Sequence, residues 1–92
     1  MIRVTGGGTC QIIAPSSVWR GRVEDMSFTG VSALFPGAPK DSLAGTLLEL
    51  PGVTLKVSPV GMVRKWKKTL VHFQVVSIES GEKRWRRLHA AR

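Results

Sequence analysis

Residues 18–25, VWRGRVED, alternate along their length: Val18, Arg20, Arg22 and Glu24 fall on one parity, Trp19, Gly21 and Val23 on the other. A period of two is the signature of a strand with one face buried and the other in water. The same reading, carried along the chain, gives short strands separated by turn chemistry. One covers 9–14 and ends on Pro15-Ser16-Ser17, and another covers 31–35 and ends on Pro36-Gly37. Residues 46–57 read as a hairpin around Pro51-Gly52, with Leu48 and Leu50 on one face and Glu49 on the other. The last two strands are expected at 60–66 and 69–76, separated by Lys67-Lys68.

The period changes after residue 80. SGEKRWRRLHAAR contains no β-branched residue, and Ser80 is placed to cap a helix that has Glu82 in its first turn and Arg92 in its last. Trp85 and Leu88, three apart, form a short apolar stripe that can lie against the strands. Several short strands in a small chain are best relieved of exposed edges by closure. The pattern therefore predicts an all-β fold, a small six-stranded antiparallel β-barrel over about 9–76, with a C-terminal α-helix over about 80–91. A chain of 92 residues is one domain, 1–92, with a small core.

Composition narrows the partners. No run approaches the roughly 18 apolar residues of a membrane span, and no secretory signal is visible at the N-terminus. Cys10 is alone, so no intrachain disulfide forms and a reducing, cytoplasmic setting is expected; it reads as a small buried hydrophobe rather than a reactive thiol. Fourteen Lys and Arg face six Asp and Glu, a net charge of +8, and nine of the fourteen cations lie from Arg64 onward. Such a field favours anionic partners. RKWKK (64–68) reads first as a solvated, edge-protecting loop, and next as an anionic-ligand rim or a nucleic-acid surface. Gly6-Gly7-Gly8 lacks the Lys-Ser/Thr and helix of a phosphate loop. His72 reads as a barrel-wall residue and His89 as part of a basic helix. No catalytic set and no metal site is expected, and the chain does not read as an enzyme.

The polar corner between the second and third predicted strands stands apart. In DMSFTG (25–30), an acid, a hydroxyl and a glycine are spread over six positions. A carboxylate there accepts from paired N–H donors, such as guanine's Watson–Crick edge or an arginine. A hydroxyl two residues on points the same way along an extended chain, and the glycine permits positive φ or close approach of a ligand. Met26 and Phe28 are expected to point inward and anchor the corner. Asp25 and Ser27 satisfying the turn's own backbone would be the plainer explanation.

This corner, within WRGRVEDMSFTGVSALF, resembles the PilZ family of bacterial cyclic-di-GMP receptors, whose hallmark is [D/N]-x-S-x-x-G between the second and third strands. A late strand like LVHFQVV and a following helix like GEKRWRRLHAAR are also similar to that family's order, so the resemblance covers nearly the whole chain. It implies ligand contacts from Asp25, Ser27 and Gly30. The family's R-x-x-x-R motif precedes the first strand; Arg3, 22 residues before Asp25, takes the place of its second arginine, and the first would fall ahead of Met1. Arg20 and Arg22 on the adjacent strand can substitute in part, and Arg64 and Trp66 are expected to border the same pocket. The function implied is a cyclic-di-GMP-binding regulatory domain that passes occupancy to an attached or associated effector, with no nucleic-acid partner. Some bacterial cellulose synthases carry such a barrel as a cytoplasmic C-terminal part, and an excised domain of that kind fits the resemblance. The alternatives are an adaptor of the same fold that acts through protein contacts without nucleotide, and, further off, a basic RNA- or DNA-binding barrel.

Overall fold

The computed structural model describes residues 4–5, 8–15, 17–38, 43 and 45–88. Its elements run β1 (Val4–Thr5), β2 (Thr9–Ile13), β3 (Val18–Ser27), β4 (Gly30–Pro36), β5 (Thr46–Leu50), β6 (Val53–Lys65), β7 (Lys68–Ser80) and α1 (Glu82–Leu88). All pairings are antiparallel. The order β3-β2-β5-β6-β7-β4 closes on itself through β3–β4, which makes a six-stranded barrel. The two-residue β1 adds to the same strand, with Val4 opposite Met26 and Thr5 opposite Asp25.

The expected strands are present, with two changes. Residues 53–57 and 60–66 belong to one strand, β6, because Pro59 does not interrupt it: the register slips between Pro59 and Gly61 and the pairing with β7 continues. Val60 is the extra residue of a bulge directly after Pro59, the kind of place where a paired strand tolerates a residue that lacks an N–H. β7 likewise runs on to Ser80, so the barrel extends past residue 76. Ser80 is thus a strand residue rather than the helix cap, and Gly81 with φ of 80° joins β7 to α1. The helix is described over Glu82–Leu88 only, and His89 lies outside the described residues.

Alternation fills the interior. Ile12, Leu48, Leu55, Val57 and Val71 are completely enclosed, and Phe35 stacks on Trp19 at 4.3 Å while meeting Phe73 edge-on at 6.2 Å. Trp85 seals one end of the barrel with no exposed surface, and Leu88 packs beside it, as their spacing predicts. At this end lie the β3–β4 turn, the β5–β6 turn and α1. The β6–β7 turn projects from the other.

One irregularity positions the polar corner. Val23 pairs with Ala33 and Asp25 with Ser32, so Glu24 is an extra residue in β3. The slip lets both Val23 and Met26 face the core, opposite Ala33 and Val31, and turns Asp25 outward.

Candidate functional site

The corner is a tight hairpin. Ser27 pairs with Gly30, and Phe28 and Thr29 form the two-residue turn. The turn is held from outside: the Trp85 indole N–H donates to the Phe28 carbonyl at 3.3 Å, and the Val75 N–H donates to the Thr29 carbonyl at 2.9 Å. Met26 points inward as expected. Phe28 does not: it is 40% exposed and leans on Trp85, ring centroids 6.2 Å apart. A side chain on the turn itself, outside the ladder, can meet the helix but cannot reach the interior.

Gly30 is required for close approach, since it is absent from the residues with positive φ. A Cβ there would sit 3.2 Å from the Phe73 carbonyl oxygen and 3.8 Å from the Ser27 hydroxyl. Its absence lets β4 lie tightly on β7, with Ser27 close by. That residue is only 5% exposed, and its hydroxyl has no hydrogen-bond partner among the described residues. A buried hydroxyl left unpaired costs about 1–3 kcal/mol.

The register arranges the neighbouring groups in rows across the outer face. Asp25, Ser32, His72 and Gly61 form one row, and Ser27, Gly30, Gln74 and Ser58 the next. Ser32 Oγ and His72 Nδ1 are 2.7 Å apart, so one hydrogen bond ties β4 to β7 here. In the first row the serine stands between the acid and the imidazole. A nucleophilic relay needs the histidine in the middle, so this trio offers hydrogen-bonding groups rather than an acid-oriented base. Ser32, His72 and Gln74 were not singled out by the motif. Ser32 faces Asp25 directly across the β3–β4 hairpin, but His72 and Gln74 are brought in only by β4–β7 pairings 40 or more residues apart in sequence, which no local pattern encodes.

The cations divide. Arg22, exposed on the outer face and opposite Leu34, occupies the row next to Asp25 and has no side-chain partner among the described residues. Arg20 lies farther along β3, roughly 16 Å from Asp25 at strand rise, and donates to Gln11 Oε1 at 3.3 Å; Gln11 in turn donates to Glu49 at 2.6 Å. Arg3 lies outside the described residues, and the residue that follows it, Val4, pairs with Met26.

Arg64 and Trp66 do not border this corner. β7 carries the pairing from Gln74, beside Gly30, to Lys68, beside Lys65, so both residues sit at the opposite end of the barrel, about 20 Å away at strand rise. The Arg64 guanidinium is taken up there by the Gly37 carbonyl and by Thr69 Oγ1 at 3.1 Å. Among the described residues no group of His, Cys, Asp and Glu could hold a metal ion, and no helix is long and apolar enough to cross a membrane. Comparison with family models, curated proteins and solved structures returns no match to this chain.

Proposed function

We propose that this barrel is a receptor module whose outer-face corner takes a guanine-bearing anionic nucleotide, cyclic di-GMP by the resemblance of D-x-S-x-x-G, and that occupancy is passed to an attached or associated effector. The observation that carries the reading is the Ser27 hydroxyl, buried, without a hydrogen-bond partner among the described residues and close to the Gly30 backbone. Asp25 supplies an acceptor for the N1–H and N2–H of a guanine edge. Arg22 and Arg3 supply forks that bond phosphate bidentately. The Trp85 and Val75 contacts fix the turn before a ligand arrives, which lowers the ordering cost of binding.

The test is calorimetric titration of cyclic di-GMP at moderate salt, with GTP and cyclic di-AMP as competitors and Asp25→Ala and Ser27→Ala alongside. Selective binding weakened about ten- to a hundred-fold by either substitution supports the reading. Equal weak binding of every nucleotide, vanishing with salt, would mark a generic polyanion surface. No binding leaves an adaptor that works by protein contact.

A further inference from the structure

The basic stretch that the corner does not use lies on the β6–β7 hairpin. β5 pairs with β6 only as far as Val57, so among the described strands the outer half of β6, Ser58–Lys65, has β7 alone as a neighbour. This ribbon is apolar on both sides. Met62 is opposite Val71 on the parity of the core, Val63 is opposite Leu70 on the outer parity, and each is nearly half exposed. Val60 at the bulge is more exposed still. At the apex stands Trp66, 88% exposed and in the left-handed region at φ of 57°. A two-residue hairpin turn ordinarily places Gly, Asn or Asp there. Lys65, Lys67 and Lys68 surround it, all exposed, and no acidic residue occurs from Pro51 to Ile78.

We infer that this hairpin tip docks on an anionic lipid surface. Tryptophan places an apolar ring and one N–H donor at the level of the headgroups. Lysines around it are drawn to anionic headgroups, each strengthening association by about fivefold near the surface. A ribbon with apolar side chains on both faces suits a medium that surrounds it, whereas a protein partner would cover one face. Single-stranded nucleic acid is the less fitting polyanion: it stacks on successive aromatic rings, and here one ring stands among aliphatic side chains. The surface is independent of the nucleotide reading, because it lies at the other end of the barrel.

The experiment is co-sedimentation of the full chain with vesicles of phosphatidylcholine alone and of phosphatidylcholine mixed equally with phosphatidylglycerol, with tryptophan emission recorded in parallel. The expected result is binding to the mixed vesicles only, with a blue shift that Trp66→Ala removes. A Lys67→Glu/Lys68→Glu variant should bind at least about 25-fold more weakly. A control pair on the helix, Arg86→Glu/Arg87→Glu, should bind within a few fold of the parent. Thermal unfolding checks that each variant remains folded, which exposure of the altered residues favours. The inference is overturned if the helix pair weakens binding as much as the hairpin pair, or if Trp66→Ala binds with an undiminished blue shift. It is also overturned if neither vesicle is bound, or if single-stranded RNA quenches Trp66 at concentrations where vesicles leave its emission unchanged.

Discussion

Substituting Gly81 by alanine should separate the helix from the barrel. Gly81 has φ of 80°, a conformation that costs a residue bearing a Cβ about 1–2 kcal/mol. The larger difficulty is contact: the new Cβ would lie 2.1 Å from the Gly52 carbonyl oxygen and 2.9 Å from the Val53 Cα. Both are backbone atoms of the β5–β6 turn, and neither can swing aside as a side chain would. The chain's alternative is to release α1, which forfeits the burial of Trp85. Truncating a buried tryptophan costs about 3–5 kcal/mol, and this sets the ceiling for Gly81→Ala. A domain of this size has on the order of 5–14 kcal/mol to lose, so the variant should fold with a urea midpoint lower by about 2 M at a slope near 2 kcal/mol per M. Urea titration followed by far-UV dichroism measures this, and Trp85→Ala provides the comparison. If the alanine acts by releasing the helix, the double variant should be no less stable than Trp85→Ala by more than about 0.5 kcal/mol. Full additivity, or a Gly81→Ala variant as stable as the parent, would refute the reasoning.

Two further outcomes follow from strain and burial. Trp66→Gly should raise stability by about 1 kcal/mol by relieving the left-handed turn residue, read as a higher urea midpoint, even as the lipid contact proposed for that tip is lost. Burial pushes the Cys10 thiol up to about 11 from an ordinary value of 9.0, opposed by a hydrogen bond with the Gly21 backbone. The unfolded chain therefore ionises first as pH rises: this contribution is intact below about pH 9 and declines through pH 11. Cys10→Ala should show a shallower fall in stability over that interval, and an identical slope in both proteins would contradict the assignment.

Much of this was legible because alternation is a local property. Leu48 and Leu50 against Glu49, or Trp85 with Leu88, declare their faces within a few residues. The polar corner was also legible, since Asp25, Ser27 and Gly30 lie within one hairpin. The sequence did not disclose what depends on distant register. The Ser32–His72 hydrogen bond joins residues 40 apart, and the displacement of Arg64 and Trp66 from the corner follows from the direction in which β7 runs. Trp66 as a turn residue defied its own propensity, which is why Lys67-Lys68 looked like the turn. Pro59 looked like a boundary because a proline in a paired strand is ordinarily costly, and only the bulge beside it shows how the strand continues.

The extra residue at Glu24 makes the corner a matter of counting. Upstream of it, odd-numbered positions of β3 belong to the interior; downstream, even-numbered ones do. Pair that residue in register instead of bulging it and the phase is never reset: the acid and the serine would be carried into the oily centre and Met26 delivered to water, with not a single side chain altered. The chemistry of the corner thus resides as much in how the segment that leads to it is paired as in the identity of its residues. Any chain sharing these side chains but not this register slip would present a different surface.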